Sequence, residues 1–410
     1  ASTPARLDDP YALSLHTNQP GKVVVLNVGI SQIHFGIYDT EESGADVHGI
    51  VDHADQQVTR ITVMVGPQQK TMEHAPFKLS DLFKVMQEAT ALLGPAFTFH
   101  PEDVTAVGHR VVHGGERYSK PTLIDDTVLG HLQSFIPLAP LHEPHNVAGI
   151  IALQALLPTV PQIACFDTAF HRSQPEVAQT FGLPRNITAE GIKRYGFHGL
   201  SYEFIARALP QHSGRASGRV IVAHLGNGAS MAAMVDRKCV ATTLGFSTID
   251  GLVMGTRCGN LDPGVILHLM ETKNLSVKDM TKMLYKESGL LGVSGLSQDM
   301  RALLESDEES AKEAIELFCY RAACMIGQLT MAAGGFEALV FTGGIGEHAA
   351  PIRARIAEWL EWTGVRLYPA ANDRHATRIH AKDSKVEVLV VPTNEEWMIA
   401  HHTANLLGLG

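Results

Sequence analysis

The chain has 410 residues, of which 45% are hydrophobic and 19% are charged, which is the composition of an ordinary globular protein. Its length is sufficient for two domains with separate hydrophobic cores. Its formal net charge of −10 argues against an extended nucleic-acid-binding surface, although a few arginines in a cleft could still form a local basic pocket.

The five cysteines are odd in number and have no CxxC spacing. This pattern indicates reduced thiols and argues against a structural zinc site. The first 22 residues lack the apolar core of a signal peptide. No apolar run approaches the ~18 residues that cross a bilayer. We therefore expect a soluble cytoplasmic protein that binds no membrane.

The first half of the chain alternates predicted strands with predicted helices. Residues 1–22 are polar, are interrupted by three prolines, and are predicted to be a loose extension. The elements predicted next are a hairpin of strands 23–26 and 33–38, a helix over 81–94 capped by Ser80, a strand over 104–107, a helix over 148–157 and a strand over 162–166.

The second half begins with an irregular region, 171–199, and we place a domain boundary near its start. The elements predicted after it are a hairpin over 219–236, helices between 263 and 304, a helix over 311–333 ended by two glycines, strands 338–341 and 386–391, and a terminal helix. The alternation of strands and helices predicts an α/β architecture.

The two hairpins are similar to each other. VVLNVGISQIHFGIYD (24–39) and IVAHLGNGASMAAMVD (221–236) align without a gap, at an offset of 221 − 24 = 197 residues. Asn27 aligns with His224, and Gly29 with Gly226. A repeat at half the chain length predicts two similar lobes, each with a glycine-bearing turn that could hold a polyphosphate. The alternative is an ordinary hairpin turn without a ligand.

Polar residues recur where the predicted strands end, which is where open α/β sheets bind ligands: Asn27, Arg110, Asp167, His224, Thr342 and Glu395. Arg110 and Arg257 are candidates for a carboxylate or phosphate clamp, and the alternative for each is a structural salt bridge. Asp167 and Glu395 are candidate Mg²⁺ ligands or, alternatively, helix-capping carboxylates.

The TGGIGE segment (342–347) follows a predicted strand and precedes a predicted helix. It could offer backbone N–H groups to an anion, or it could be a tight turn without a ligand. The chain has no GxxxxGK[ST] motif, and a P-loop nucleotide site is therefore unsupported.

Eight strings together resemble the acetate kinase family of the sugar kinase–Hsp70–actin superfold: GHRVVHGGE (108–116), APLH (139–142), FDTAFH (166–171), YGFHG (195–199), HLGNGAS (224–230), GLVMGTRCGNLDPG (251–264), FTGGIGEH (341–348) and PTNEE (392–396). The resemblance implies an α/β, two-lobed, actin-like (duplicated ribonuclease H-like) fold with a cleft between the lobes. It implies an N-terminal lobe of 1–168 with 386–410, and a nucleotide-binding and dimerisation lobe of 169–385.

The activity implied by the resemblance is reversible, direct in-line transfer of the ATP γ-phosphoryl group to acetate, giving acetyl phosphate and ADP. Mg²⁺, or alternatively Mn²⁺, would accompany the nucleotide, and the protein would be a homodimer. Propionate is an alternative acceptor, because one methylene changes binding in an apolar pocket by only ~1–3 kcal/mol.

Site roles carry over from the family motifs residue by residue. Arg110 and Arg257 would hold the carboxylate and the phosphoryl group, with Asp167 orienting Arg110 or the metal. His198 would donate to the phosphoryl group, with His142 nearby and His224 on phosphate. Glu395 would anchor the metal, and Asn27 would touch it. The nucleotide would contact Gly226, Asn227, Gly228, Asp299, Met300, Arg301, Gly343, Gly344, Ile345, Gly346 and Glu347. The apolar pocket for the acid would comprise Val112, Leu141, Phe197 and Thr248.

The chain also departs from the family pattern. The family's first turn usually reads Asn-x-Gly-Ser-Ser-Ser-x-Lys, whereas Ile30, Gln32 and His34 replace two of the serines and the lysine here. Thr248 stands where the family has proline and Tyr202 where it has histidine, and the neighbours of His142 also differ, being Glu143 and His145. The altered turn leaves a second hypothesis open, a nucleotide-binding regulator with weak catalysis.

Overall fold

The structure is a computed structural model that describes residues 21–39 and 46–408. The predicted loose extension at 1–22 falls almost entirely outside the described residues. The chain divides into two compact units, one formed by the residues up to Ala169 together with those from Asn394 onward, and the other by Phe170–Thr393. Among the described residues, no helix combines the length and the apolar character that crossing a membrane requires.

The strands of the described residues are β1 Lys22–Val28, β2 Gln32–Asp39, β3 Val47–Asp52, β4 Thr59–Val65, β5 Gln68–His74, β6 Val104–Val111, β7 Thr122–Leu123, β8 Gln162–Phe166, β9 Arg219–Leu225, β10 Ala229–Val235, β11 Lys238–Thr242, β12 Ala338–Thr342 and β13 Glu387–Val390.

The α-helices of the described residues are α1 Leu82–Ala91, α2 Asp126–Ser134, α3 Glu143–Leu156, α4 Glu176–Gln179, α5 Arg185–Ala189, α6 Gly199–Ala208, α7 Pro263–Lys273, α8 Val277–Lys286, α9 Gly289–Ser294, α10 Met300–Glu305, α11 Glu309–Ala333, α12 Gly343–His348, α13 Ala350–Trp359, α14 Pro369–Asp373 and α15 Glu395–Leu406.

The first unit contains an eight-stranded sheet in the order β5-β4-β3-β2-β1-β6-β8-β7. The β1–β2 pair is the predicted antiparallel hairpin, whereas β1, β6 and β8 run parallel. Alternate residues of β3 are buried, because one face of this strand packs on the core. All five residues of β8 are buried, as expected for a strand inside a parallel sheet. The carboxyl ends of β1, β6 and β8 therefore lie at one edge of the sheet.

The second unit contains a five-stranded sheet in the order β11-β10-β9-β12-β13. Strands β9 and β10 form the second predicted hairpin, with Leu225 opposite Ala229, and β12 lies parallel to β9 and β13. The predicted strand at 386–391 is β13. We expected it to belong with the N-terminal lobe, but its parallel pairing with β12 places it in the sheet of the second unit.

Three local predictions differ from the structure. Helix α1 begins after a 3₁₀ turn, Leu79–Asp81, and Ser80 is therefore not its N-cap. Helix α3 begins at Glu143, five residues before the predicted start, because Pro144 in its first turn lacks only an N–H that would be unpaired there anyway. The TGGIGE segment is not a turn before a helix, since Gly343–His348 is itself helical.

Arg353 is a fully buried arginine in α13. Its Nε donates to Asn372 Oδ1 at 2.8 Å, and its Nη1 donates to the Gly346 carbonyl at 2.9 Å. Its Nη2 donates to the Asn372 carbonyl at 2.8 Å and lies 2.7 Å from His375 Nδ1. Burial lowers the pKa of Arg353 to about 10, so the guanidinium remains charged at neutral pH. This side chain ties α12 to α13 and α14.

We expect Arg353→Met to lower the free energy of unfolding by about 3 kcal/mol or more, because buried carbonyl and amide oxygens lose their donors. For a unit of this size the thermal midpoint should fall by about 6–12 °C. Arg366 is the matched control, since it pairs with Asp383 at the surface with 66% of its side chain exposed. Arg366→Met should change the midpoint by less than about 3 °C. Equal midpoint shifts in the two variants would contradict the role given to Arg353.

Candidate active site

Arg110 and Asp167 meet at the edge of the first sheet. Arg110 is the penultimate residue of β6, and Asp167 directly follows β8, where its N–H donates to the Val111 carbonyl at 3.0 Å. The guanidinium donates from Nε to Oδ1 at 3.0 Å and from Nη2 to Oδ2 at 2.9 Å, which is a bidentate ion pair. Parallel pairing of β6 with β8 thus brings together two residues that are 57 positions apart.

Glu395, the first residue of α15, completes what we call the Arg110 cluster (Arg110, Asp167 and Glu395). Its Oε2 lies 3.1 Å from Arg110 Nη1, close enough for an ion pair. The alignment is poor, however, because this buried oxygen has no hydrogen-bond partner in the structure. Burial would lower the pKa of Arg110, but Asp167 and Glu395 outweigh it and raise the pKa. The cluster holds one cation and two carboxylates, and Glu395 Oε2 is its acceptor oxygen without a hydrogen bond.

The first hairpin turn lies in the same unit. Asn27 pairs across the hairpin with His34, and the turn closes through a hydrogen bond from Gly29 N–H to the Gln32 carbonyl at 2.8 Å. The Gln32 and His34 side chains lie 3.1 Å apart, Oε1 to Nε2, and Ile30 is half exposed. The residues that depart from the family pattern therefore still form a closed turn.

Glu143 is a buried acid at the start of α3 that the sequence singled out only as a departure from the family. Its Oε2 accepts a hydrogen bond from His113 N–H at 3.0 Å, whereas its buried Oε1 has no partner in the structure. Burial raises the pKa of Glu143 from 4.5 to about 9; the negative charge of Asp167 adds to the rise, and the His113 N–H opposes it. Glu143 is therefore a neutral carboxylic acid at pH 7 that anchors the chain after β6.

Asn146, one turn further along α3, anchors the same segment. Its side-chain oxygen accepts from Val112 N–H at 2.9 Å, and its amide donates to the Val28 carbonyl at 3.0 Å. Val112 is thus fixed through its backbone. Leu141 is 39% exposed, and His142 occupies the N-cap position of α3. These three predicted site residues all belong to the first unit.

In the second unit, two histidines stack beside the second hairpin turn. The rings of His198 and His224 have centroids 4.4 Å apart and are tilted by 27°. His198 Nδ1 lies 2.8 Å from Ser230 Oγ, and His224 Nδ1 lies 2.8 Å from Ser201 Oγ. A hydroxyl therefore engages the Nδ1 of each ring.

The glycines of the turn lie close to both rings and to Arg257. A Cβ on Gly228 would lie 3.5 Å from His198 Nε2 and 3.7 Å from both terminal nitrogens of Arg257. A Cβ on Gly226 would lie 4.0 Å from His224 Nε2. We call His198, His224, Arg257 and the turn the His198 cluster. Its Nε2 atoms and guanidinium converge on exposed backbone, an arrangement suited to an anion.

Arg257 lies between β11 and α7, in a segment without regular structure. Its Nη1 donates to the Thr248 carbonyl at 2.9 Å, and its own carbonyl accepts from Met254 N–H at 3.1 Å. Gly289, with φ of +63°, packs against the backbone of this segment, where a side chain would clash with Met254 and Arg257.

Arg257 has no carboxylate partner in the described part of the chain. Burial lowers its pKa, Tyr285 raises it slightly, and the guanidinium stays charged at neutral pH. The structure thus gives Arg257 no structural salt bridge. Phe197, another predicted site residue of this unit, is buried, and Thr248 contributes its carbonyl to Arg257.

The predicted nucleotide contacts are also in the second unit. Glu347 is used structurally, because its Oε2 accepts from Gly343 N–H at 2.7 Å and from Thr393 N–H at 3.5 Å. Its pKa is raised by burial, against which these N–H groups act. A Cβ added at Gly344 would have no atom within 4 Å. Ile345 and Gly346 continue the six-residue helix α12.

The second predicted nucleotide segment begins at Asp299. Its side chain caps α10 by accepting from Arg301 N–H at 3.1 Å. Met300 is buried, whereas Arg301 is exposed and pairs with Glu305 one turn later. Asp299 and Arg301 therefore have local structural partners, and only their position at the helix start accords with a ligand-binding role.

Sequence reasoning missed the hydroxyls that orient the two histidines. Ser201 and Ser230 are fully buried, and Thr393 Oγ1 lies 2.8 Å from Ser201 Oγ. Ser230 is the last residue of the HLGNGAS string, and Ser201 lies two residues after YGFHG. No spacing rule indicates that either serine will face a histidine ring 23 or 32 residues away.

Two α/β units, each with a sheet that starts from a similar hairpin, define a member of the sugar kinase–Hsp70–actin superfold. Within that class the chain belongs to the Acetokinase family, whose sequence model matches residues 22–401. It is 49% identical over 396 residues to an acetate kinase of Rhodopseudomonas palustris, covering 94% of this chain and 98% of that protein.

Solved structures agree with this assignment. The acetate kinase of Porphyromonas gingivalis superposes with a TM-score of 0.86 at 34% identity, covering 94% of this chain and all of that one. A propionate kinase from Francisella tularensis also gives a TM-score of 0.86, at 35% identity, with 94% and 99% of the two chains covered. These similarities establish the two-lobed fold class that the sequence predicted.

We expect Glu143→Gln to gain stability relative to the wild type as pH rises. The folded chain keeps the Glu143 proton up to about pH 9, whereas the unfolded chain releases it near pH 4.5. Between these values the stability of the wild type falls with pH, by at most about 1.4 kcal/mol per unit from this group. Glutamine is neutral throughout and has no such slope.

Thermal midpoints measured from pH 5.5 to 8.5 check this prediction, with Glu102→Gln as the control, since the Glu102 side chain is 74% exposed. The midpoint difference between Glu143→Gln and wild type should increase with pH, and that of the control should stay flat. A difference for Glu143→Gln that does not change with pH would show that this carboxyl is ionised in the folded chain.

Proposed function

We propose that this chain transfers the γ-phosphoryl group of ATP to acetate, reversibly, giving acetyl phosphate and ADP. The observation that carries the proposal is the convergence of His198, His224 and Arg257 on the turn at 226–228. A partly buried guanidinium beside a glycine-bearing turn fits a phosphoryl group in transfer. The acetate kinases among the relatives support the choice of acceptor.

The protein's part in such a reaction is positioning and charge stabilisation. Arg257 would neutralise charge on the transferring group, and His198 would donate a hydrogen bond to it. His224 would contact phosphate. In the first unit, Arg110 would bind the carboxylate, with Asp167 fixing its guanidinium through Nε and Nη2 and with Glu395 Oε2 lying 3.1 Å from Nη1. His142 would assist near the acceptor.

A magnesium ion fits the Arg110 cluster. The buried Glu395 Oε2 has no hydrogen-bond partner and is a hard oxygen ligand, and the Asn27 side chain would be a second. No group of three or more His, Cys, Asp or Glu residues in the described ranges forms a complete metal site. This is expected for Mg²⁺ or Mn²⁺, which are commonly held by one or two protein oxygens with phosphate and water completing the shell. When bound, the ion would neutralise phosphate charge.

An alternative acceptor is propionate, since the similar structure from Francisella tularensis is described as a propionate kinase. Val112, Leu141, Phe197 and Thr248 are the candidate pocket residues, and the Thr248 hydroxyl is the polar exception among them. A single methylene is worth only about 1–3 kcal/mol in such a pocket, so measured selectivity is needed.

The assay is hydroxamate trapping of acyl phosphate from MgATP with acetate, propionate or butyrate. We expect product with acetate, and a higher kcat/KM for acetate than for propionate. The opposite ratio would make propionate the substrate. If calorimetry shows that ATP binds but the assay gives no acyl phosphate above background, the kinase hypothesis is rejected in favour of the nucleotide-binding regulator.

Arg257→Gln should lower kcat/KM for acyl phosphate formation by about 10²–10³-fold, because a preorganised donor to the developing charge is lost. Arg60→Gln is the control, since Arg60 is 66% exposed and forms a long surface pair with Glu73. It should leave kcat/KM within twofold of wild type. A loss of less than fivefold in Arg257→Gln would remove Arg257 from the phosphoryl site.

We also propose a homodimer formed through α7. This helix has apolar residues on several sides, yet none of its residues is buried, and Leu267 is 67% exposed. A helix of this kind requires an apolar partner, and a second copy of the chain supplies one by twofold symmetry.

Leu267→Glu places a charge on this helix in both copies and should shift the molecule to monomer in sedimentation velocity, because an apolar interface does not accommodate unpaired carboxylates. Val177→Glu makes the same change on α4, where Val177 is 85% exposed, and should leave the mass unchanged. A Leu267→Glu protein that sediments like wild type would exclude α7 as the interface.

A further inference from the structure

A buried hydroxyl pair stands behind His198. Tyr202 OH lies 2.5 Å from Ser230 Oγ, and Ser230 Oγ lies 2.8 Å from His198 Nδ1. Neither Tyr202 nor Ser230 is exposed to solvent. Tyr202 follows His198 by one turn of α6, and Ser230 lies on β10 opposite His224. The three side chains thus form a continuous hydrogen-bonded row that ends on the ring.

The backbone of His198 is held independently of this row. His198 has φ of +58°, a left-handed conformation that is uncommon for a residue with a Cβ. The preceding carbonyl, that of Phe197, is hydrogen-bonded to His171 Nε2 at 2.7 Å. Burial lowers the pKa of His171 to about 4, so it is neutral and its Nε2–H donates to that carbonyl. Because the backbone is fixed, the hydrogen-bonded row of side chains determines which ring nitrogen of His198 carries the proton.

The direction of the row follows from its chemistry. A phenol is a stronger acid than an aliphatic hydroxyl and is therefore the better donor, and on this ground we assign Tyr202 as the donor to Ser230. The single proton of Ser230 then points to His198 Nδ1. A neutral imidazole that accepts at Nδ1 carries its proton on Nε2. That nitrogen is the one beside Gly228 and Arg257.

We propose that Tyr202 and Ser230 are positioning residues that keep the His198 proton on Nε2, so that the ring donates to the anion held at the 226–228 turn. The identity of that anion, a phosphoryl group in transfer, rests on the proposed function. In the other tautomer Nε2 presents a lone pair, which repels an anionic oxygen. Tyr202 replaces the histidine usual in the family, whereas Ser230 belongs to the HLGNGAS string (224–230) that matches the family pattern.

The test compares Tyr202→Phe and Ser230→Ala with wild type by steady-state kinetics and by ¹⁵N NMR of histidine-labelled protein, with His198 resonances assigned from His198→Ala. Both variants should lower kcat about 10–100-fold, less than removal of a whole catalytic group, with KM for acetate within twofold. Their His198 Nε2 resonance should move away from the protonated position of the wild type.

Tyr118→Phe is the matched control. It also removes a hydrogen-bonded phenol, here one that lies directly on a histidine ring, 2.6 Å from His131 Nδ1, but Tyr118 is in the first unit outside both clusters. Its kcat and the His198 resonances should equal those of wild type. If Tyr202→Phe does not fold, Ser230→Ala, which removes one oxygen, decides the question.

The proposal is overturned if the His198 tautomer and kcat are unchanged in the variants, or if wild-type His198 carries its proton on Nδ1. A kcat loss with unchanged tautomer and increased KM would indicate packing alone and would also overturn it. A wild-type protein that makes no acyl phosphate would refute the proposed function instead, and the NMR comparison would still decide whether Tyr202 and Ser230 set the tautomer.

Discussion

The carboxyl ends of parallel strands lie along one edge of a sheet, and both candidate clusters depend on this constraint. In the first unit, the pairing of β6 with β8 sets Arg110 beside Asp167, and the helix that begins at Glu395 packs against these strands. In the second unit, β9 lies parallel to β12 and delivers His224 at its end. The segments between these strands are long, and the sheet register alone makes the polar residues neighbours.

Three arginines show that the partners of a guanidinium group determine its role. Arg353 is surrounded by carbonyl and amide oxygens and serves the fold. Arg110 has two carboxylates around it, which hold its guanidinium still and keep it charged. Arg257 has a carbonyl and no carboxylate in the described part of the chain. Partial burial of an unpaired cation costs free energy, and an anionic ligand offsets that cost.

The two hairpins have the same antiparallel strand pairing and differ in the residues that surround their turns. The second turn has glycines facing two histidine rings and a guanidinium. Both turns are closed by their own backbone, and at the first turn the side chains of Gln32 and His34 contact each other. Duplication therefore preserved the hairpin as a scaffold, while the chemistry came to depend on residues supplied by other segments. In the second unit these include the buried hydroxyls of Ser201 and Tyr202.

The sequence by itself determined the α/β class, the duplicated hairpin, most strand and helix positions, and Arg110, Asp167, His198, Arg257 and Glu395 as site candidates. The class, the hairpin and the element positions follow from periodicity and turn chemistry, which are local properties, whereas His198 and the site roles come from the resemblance to the family's motifs. Tertiary structure decided that β13 joins the second sheet, that Glu347 caps its own helix, and that Glu143 is a neutral acid. It also decided which hydroxyl faces which histidine. Burial and contacts between distant segments control these features, and neither is encoded in the spacing of residues along the chain.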